Sequence, residues 1–410
     1  MASDPQQIVI VGASLAGLRA AETLRQEKFA GRIVMIGDEP GPPYDRPPLS
    51  KKVLAGEWEP DRIRLRKPED LESLEAEWIL GEAAVRLDTS KREVVLASGR
   101  TVAFDGLIVA TGGRVRRLPN QPEWAGIHVL RGLDDSLSLR SELVADRRVV
   151  VIGAGFIGLE VAATARQLGS RVTVLEGAEA PLMRGLGVAM GRLVAQIHPE
   201  NGVDLRCGVK VARFVEGASR RVAGVELEGG EIVPADVVVV GVGVSPATEW
   251  LNDSGLTIRD GVVCDATLCA GVSGVYAAGD VARWPNELLG REVRVEHWTN
   301  ASEQGAAAAR NLLAVARGET PKPYAEVPFF WSDQFGVRIQ FLGRAEGDED
   351  IEIVAGSPDE KSFVALYHRD GRLCAALGVS RPKQLMPFRK LLAERATWEQ
   401  ALELVSTFGS

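Results

Sequence analysis

The sequence predicts an α/β protein built from two dinucleotide-binding domains and a smaller α+β C-terminal domain. Three observations lead there. An apolar run, Gln7 to Val11, stops at Gly12 and turns through Ala13-Ser14-Leu15-Ala16-Gly17 into an amphipathic pattern. The same unit recurs at Arg148 to Glu160. Past Pro321 the composition changes to short alternating stretches such as Phe329 to Gln334 and Ser362 to Tyr367.

The first unit reads as a buried parallel strand followed by a helix whose Leu18, Ala21 and Leu24 share one face. Backbone N–H groups at such a helix start meet a pyrophosphate, with Gly12 and Gly17 allowing the turn and the close packing. Ser14 replaces the middle glycine of the G-x-G-x-x-G pattern; its hydroxyl can donate to the same phosphate oxygens. A second apolar strand, Ile33 to Ile36, ends at Asp38-Glu39, where a carboxylate accepts from a ribose. The second unit is complete. Gly153, Gly155 and Gly158 are all present, Phe156 and Ile157 lie between them, and Ile157, Val161, Ala165 and Leu168 recur on one helix face. The following strand, Arg171 to Leu175, ends at Glu176, the position of an acid that accepts the 2′-hydroxyl of NADH and repels the 2′-phosphate of NADPH. The two copies coincide at Gly12/Gly153, Gly17/Gly158, Leu18/Leu159 and Ala21/Ala162, so the chain carries one nucleotide-binding unit twice. Both are Rossmann-type.

Later strands bring further loops to the same ends. Leu107 to Ala110 stops at Thr111-Gly112-Gly113, Asp236 to Val240 at Gly241-Val242-Gly243, and Val275 to Ala278 at Gly279-Asp280. A helix is predicted from about Thr299, with Thr299-Asn300-Ala301-Ser302 as its N-cap region. The predicted domains are a dinucleotide domain at 1–113 and 242–320, a second at 114–241 inserted in it, and a C-terminal domain at 321–410.

Composition bounds the function. The chain has 410 residues, of which 45% are apolar and 25% charged, ordinary for a globular protein. A formal charge of −8 argues against a nucleic-acid partner. No apolar run approaches the roughly eighteen residues that span a bilayer. Met1 to Gln6 show no basic n-region, so a cytoplasmic enzyme is expected. The four cysteines, Cys207, Cys264, Cys269 and Cys374, are too scattered for a disulfide framework. Cys264 and Cys269 have the spacing of a redox disulfide but lie far from the first fingerprint, and both read as buried small residues. His128, His198, His297 and His368 show no ligand spacing, so no metal is expected.

The stretches Tyr44-Asp45-Arg46-Pro47-Pro48-Leu49-Ser50-Lys51, Ala110-Thr111-Gly112-Gly113-Arg114, Gly153 to Glu160, Ala278-Gly279-Asp280 and Phe330-Trp331-Ser332-Asp333-Gln334 occur in that order. In this the chain resembles the FAD- and NADH-dependent ferredoxin reductases of bacterial oxygenase systems, the family of the putidaredoxin, rhodocoxin and aromatic-ring dioxygenase reductases. The resemblance covers essentially the whole chain. It implies a glutathione-reductase-like fold, with FAD contacts at Ala16, Asp38, Lys51, Ala84, Arg131, Asp280 and Trp298. Nothing in the local sequence at Ala84 or Arg131 announces a site. The opening fingerprint adds Gly12, Ser14, Gly17 and Glu39, and the motifs add Arg46 and Thr111. For NAD the residues are Gly153, Gly155, Phe156, Ile157, Gly158, Glu160, Glu176 and Gly243. Lys51 is expected at the flavin N5 edge. Glu160, placed in the first helical turn where the first copy has Arg19, either holds the nicotinamide amide or pairs with Lys51. Trp331 is expected where electrons leave. The implied chemistry is hydride transfer from NADH to FAD, then single electrons to an acidic [2Fe-2S] ferredoxin that feeds an oxygenase. Arg62 to Lys67, Arg114 to Arg117, Arg381, Lys383, Arg389 and Lys390 are candidates for docking it. A monomer or homodimer is expected. Alternatives left open are a rubredoxin reductase or NADH oxidase of the same fold, and an apoptosis-inducing-factor-like NADH-binding flavoprotein. Disulfide chemistry would need a thiol in Pro40 to Lys51, which has none.

Overall fold

The computed structural model describes residues 4–408. The chain divides into two compact units, one of residues 4–45, 64–114 and 245–328, the other of residues 46–63, 115–244 and 329–408.

In the first unit five parallel strands form one sheet in the order Val275–Ala277, Gly106–Val109, Gln7–Val11, Arg32–Gly37, Ala76–Leu80. The central strand carries Ile8, Val9 and Ile10 with no solvent exposure, as a strand covered on both faces requires. The helix Leu15–Gln26 lays Leu18, Ala21 and Leu24 into the same core. The long helix Trp298–Ala316 crosses it so closely that a Cβ on Gly305 would fall 2.2 Å from the carbonyl oxygen of Ala16. The small residue at that crossing sets how near the two helix starts can come.

That long helix begins one residue earlier than the sequence suggests, with His297 in the N-cap position, and no side chain caps it. The polar residues that looked like a cap are engaged elsewhere: Asn300 donates to the Val295 carbonyl, and Ser302 accepts from Arg19.

In the second unit the strands Asp204–Cys207, Arg171–Glu176, Arg148–Ile152, Val237–Val240 and Ile127–His128 form a parallel sheet in that order. The helix Phe156–Gln167 follows the central strand. The same unit holds an antiparallel sheet of Phe329–Gln334, Val337–Gly343, Arg372–Val379, Ser362–Arg369 and Asp350–Ser357 in that order. Arg372–Val379 was not anticipated, because it is buried on both faces and so lacks the alternation that marks a half-exposed strand. Among the described residues no helix is long and apolar enough to cross a membrane.

Candidate functional site

The carboxyl ends of the first unit's strands bring together Gly12, Asp38, Thr111 and Asp280, each within four residues of the end of its strand. In an open parallel sheet this edge is where a nucleotide binds. Gly12 has φ +119°, and a Cβ there would lie 2.1 Å from the Ala110 carbonyl oxygen; one on Gly17 would lie 2.0 Å from the Gly12 oxygen. These two glycines are therefore required by the turn itself. Ser14 is different. It occupies the N-cap with ordinary extended φ −116°, and its hydroxyl makes no capping bond. Its Cβ causes no strain, so the departure from the glycine pattern leaves the turn intact. Gly279 N donates to Gln304 Oε1 at 2.9 Å, which ties the Asp280 turn to the long helix, and Gln304 Nε2 is buried without a partner. Arg294 Nη1 donates to the Asp280 carbonyl at 3.1 Å. Glu39 accepts from the Tyr44 hydroxyl. Trp298 is 36% exposed, and its indole N–H donates to Asp45 at 2.7 Å. Ala84 opens the strand Ala84–Asp88 of the same unit.

The second fingerprint separates what the turn needs from what a ligand needs. Gly153 (φ +103°) and Gly158 face backbone oxygens at 2.4 and 2.1 Å from an added Cβ. At Gly155, where φ is −77°, a Cβ would meet nothing within 4 Å. Gly243 (φ +101°) is likewise open. A bare backbone facing free space at a helix N-terminus fits a pyrophosphate. Glu176 Oε2 accepts from Ala154 N at 2.7 Å and Oε1 from Ala178 N at 2.8 Å. Phe156 packs edge-on against Phe330, centroids 4.6 Å apart. Ile157, which shares one helix face with Val161 and Ala165, is 47% exposed whereas those two are buried. An apolar side chain held in solvent beside the open glycine suits a bound nucleotide.

Lys51 and Glu160 meet in the second unit. The rigid Pro47–Ser50 turn delivers Lys51, and it is fixed from two helices: Ser136 donates to Leu49 O at 2.7 Å, and Thr164 donates to Ser50 O at 2.8 Å. Lys51 Nζ lies 2.8 Å from Glu160 Oε2, which also accepts from Ser50 Oγ. Glu160 Oε1 accepts from Ser332 Oγ at 2.6 Å. Glu160 is 5% exposed and lies past the first helical turn, so the expected dipole role gives way to three direct donors. A buried carboxylate is destabilising unless it is paired and hydrogen-bonded, and here it is both. Of the two roles read for Glu160, the geometry displays the pairing. Arg46 Nη1 donates to the Arg131 carbonyl at 2.7 Å, and Asp135 accepts from Arg131 N and Gly132 N at 2.9 Å. Arg46, Lys51 and Arg131 thus share the second unit, whereas the other predicted flavin residues share the first.

Two side chains escaped the sequence reading. Gln334 Nε2 donates to Ser332 Oγ at 3.0 Å, and Gln334 Oε1 lies 2.8 Å from His198 Nε2. His198 and Gln334 are 136 residues apart, so no local pattern announces the pair.

The cysteines are free thiols. Burial pushes Cys264 up to about 12, and it also raises Cys207, Cys269 and Cys374. None has the low-pKa setting of a redox thiolate. Cys269 is half-buried rather than buried. Several arginines proposed for docking are engaged within their own units. Arg62 lies over Trp58, Arg66 pairs with Glu22 at 2.6 Å, and Arg381 Nε donates to Ser362 Oγ at 3.0 Å. Lys383 and Lys390 are exposed. Trp331 is half-buried, stacked on Phe329 at 6.1 Å, with the Arg338 guanidinium 6.0 Å from its ring centre. Among the described residues no three His, Cys, Asp or Glu side chains are grouped to hold a metal.

Residues 6–305 match the model of the pyridine nucleotide-disulphide oxidoreductases, and residues 329–404 match the reductase C-terminal region. The chain is 38% identical to rhodocoxin reductase of Rhodococcus erythropolis, over 97% of this chain and 92% of that one. It is 40% identical to the anthranilate 1,2-dioxygenase system ferredoxin–NAD(+) reductase component of Burkholderia cepacia, over 97% and 96%. The crystal structure of the covalent putidaredoxin reductase–putidaredoxin complex superposes with a TM-score of 0.90 at 34% identity, covering 95% of this chain and 93% of that one. The chain therefore belongs to the pyridine nucleotide-disulphide oxidoreductase family, in the group that carries the reductase C-terminal region.

Proposed function

We propose that the chain is an FAD-dependent NAD(+)–ferredoxin reductase that draws electrons from NADH and hands them to a [2Fe-2S] ferredoxin serving an oxygenase. The observation that carries this reading is the duplicated glycine turn joined to a buried Lys51–Glu160 pair in a chain whose thiols are all free and raised in pKa. Such a chain is equipped to hold two dinucleotides, and none of its cysteines has the setting of a low-pKa redox thiolate. FAD, when bound, supplies the conversion of a two-electron donor into single-electron steps.

The chain's own residues bind, orient and tune. Gly12, Ser14, Ala16, Gly17, Asp38, Glu39, Ala84, Thr111, Asp280 and Trp298 are the residues assigned to the flavin in the first unit, and Arg46, Lys51 and Arg131 those assigned to it in the second. Asp45 holds the Trp298 indole by its N–H, which fixes the ring's orientation. Lys51 is the cation for the flavin N5 edge, and Glu160 keeps its ammonium in place. Gly153, Gly155, Phe156, Ile157, Gly158, Glu160, Glu176 and Gly243 are the NADH set, with Glu176 selecting NADH over NADPH. Trp331 is the exit for electrons. The ferredoxin is acidic and is met by exposed lysines, Lys383 and Lys390 among them, and the enzyme works in the cytoplasm.

Anaerobic addition of NADH to the FAD-loaded protein tests the reading. The flavin is expected to bleach, and a [2Fe-2S] ferredoxin then to be reduced catalytically. Flavin that stays oxidised ends the proposal.

A further inference from the structure

Behind the Lys51–Glu160 pair runs a line of buried polar side chains that the reaction scheme does not use. Exposure is 5% at Glu160, 0% at Ser332, 1% at Gln334 and 0% at His198. They come from a helix, a strand and a second short helix of the same unit, Phe156–Gln167, Phe329–Gln334 and Ile197–Glu200.

The direction of every bond in the line follows from its last member. A carboxylate paired with a lysine only accepts, so Ser332 donates its hydroxyl proton to Glu160 Oε1 at 2.6 Å. The Ser332 oxygen then receives the Gln334 amide N–H at 3.0 Å. That leaves Gln334 Oε1 facing His198, and an amide oxygen only accepts, so His198 carries its proton on Nε2 at 2.8 Å. The other ring nitrogen, Nδ1, is buried with no partner. A bare Nδ1 means a neutral imidazole, and burial lowers the His198 pKa, which favours the same form.

We infer that His198, Gln334 and Ser332 are positioning residues: they form a one-way chain of donors that fixes the rotation of the Glu160 carboxylate and thereby holds Lys51 for reaction. The geometry states why. Glu160 Oε2 serves Lys51 and Ser50, while Oε1 is turned toward Ser332. Without the Ser332 donor the carboxylate can turn about its last bond, and the oxygen that holds the ammonium moves with it. Four buried polar groups in a row are also a poor way to gain stability, because each is desolvated for one or two hydrogen bonds. The inference rests on the proposed reading of Lys51 as the cation at the flavin.

Two measurements test it. The first is ¹⁵N NMR of the histidine side chains in FAD-loaded protein, with His198 assigned by loss of its signals in His198→Gln. The Nε2–H tautomer is expected at neutral pH, and Glu160→Gln, which ends the line on an amide, is expected to shift the His198 signals. An Nδ1–H tautomer, an imidazolium, or signals indifferent to Glu160→Gln overturns the chain. The second is stopped-flow reduction of the flavin by NADH. Ser332→Ala and Gln334→Leu are each expected to slow the limiting rate ~10-fold while leaving the NADH dissociation constant within about twofold, and Ser332→Thr to recover most of the loss. Unchanged limiting rates in both, or a loss that lies wholly in NADH affinity, overturn the inference. Should a variant fail to fold, the NMR of the wild-type protein and of Glu160→Gln decides. A wild-type flavin that NADH does not reduce sinks the functional reading instead, and the tautomer measurement still reports on the chain.

Discussion

Glu176 braces the turn that it is also proposed to join to the nucleotide. Its two oxygens fasten Ala154 N and Ala178 N, so the acid that ends the strand also braces the glycine loop beside it. Glu176→Arg removes the acceptor for both N–H groups and places a cation where a 2′-phosphate would lie. The KM for NADH is expected to rise about tenfold and that for NADPH to fall. Loss of the two backbone contacts is expected to lower stability by about 1–2 kcal/mol. Steady-state kinetics with both nucleotides and urea denaturation check the two parts separately, and an unchanged ratio of the KM values removes Glu176 from the nucleotide site. At this scale the sequence marked where the glycine turn and the strand end fall, as at Gly155 and Glu176. It named Ser332 and Gln334 within a motif and His198 among the histidines but assigned none of them a role, because their contacts join segments distant along the chain. At Arg381 the charge is plain in the sequence but the engagement with Ser362 is not.

The fingerprint as an element makes a sharper prediction, since its glycines are present for different reasons. Gly155→Ala adds a methyl in open space at φ −77°, and the first copy already carries a larger side chain, Ser14, at the matching place. The variant is expected to keep its stability within about 1 kcal/mol but to lose NAD⁺ affinity ~10-fold or more as the methyl meets the pyrophosphate. Gly153→Ala, at φ +103° and with a Cβ 2.4 Å from the Gly241 oxygen, is expected to fail in folding. Thermal denaturation and NAD⁺ titration of the pair separate the two roles; equal loss of stability in both would refute the distinction.

The adjacent strands Arg148–Ile152 and Val237–Val240 are tied at one end by Asp236, which accepts from Arg148 N at 3.0 Å and Nε at 3.1 Å. The Arg148 hydrogen bond holds the Asp236 carboxyl down at about 2. Its folded pKa lies below the unfolded value, so the contribution is complete above about pH 5 and is lost as pH falls toward 2. With discount for the partly exposed arginine, Asp236→Asn is expected to lose about 1 kcal/mol at pH 7. The gap from wild type should narrow between about pH 5 and pH 3 in urea denaturation at stepped pH. Most of the parallel strands were legible as short apolar runs that stop at or just before a glycine, whereas Ala76–Leu80, with Glu77 inside it, and the two-residue Ile127–His128 were not. The helix Trp398–Ser406 was missed although Thr397-Trp398-Glu399-Gln400 spells a capping box, which the structure forms with Gln400 N donating to Thr397 Oγ1 at 3.3 Å.

For the whole molecule the governing quantity is charge. The chain carries −8 at pH 7, so the acidic ferredoxin proposed as its partner would be repelled at long range and drawn in only by local positive charge. Several arginines of the basic runs are held by their own neighbours; Lys383 and Lys390 are exposed on the helical segment Pro382 to Ala393, Lys390 in a solvent-facing pair 3.8 Å from Glu394, and both are proposed contacts. The two effects respond to salt with opposite sign. Screening first removes the net repulsion, which acts over many ångströms, and then the attraction of close pairs as the Debye length falls below about 10 Å near 0.1 M. The kcat/KM for ferredoxin is therefore expected to rise from low ionic strength, pass a maximum, and decline. Replacing Lys383 and Lys390 together with glutamate leaves repulsion alone, so the rate constant is expected to drop about tenfold at ~0.1 M salt and then to climb steadily with added salt. Flavin reduction by NADH in the same variant should not change, since that step needs no partner. Stopped-flow measurement of both half-reactions across a salt series checks the argument, and a double variant whose ferredoxin rate still peaks and falls like the wild type would place the docking surface elsewhere.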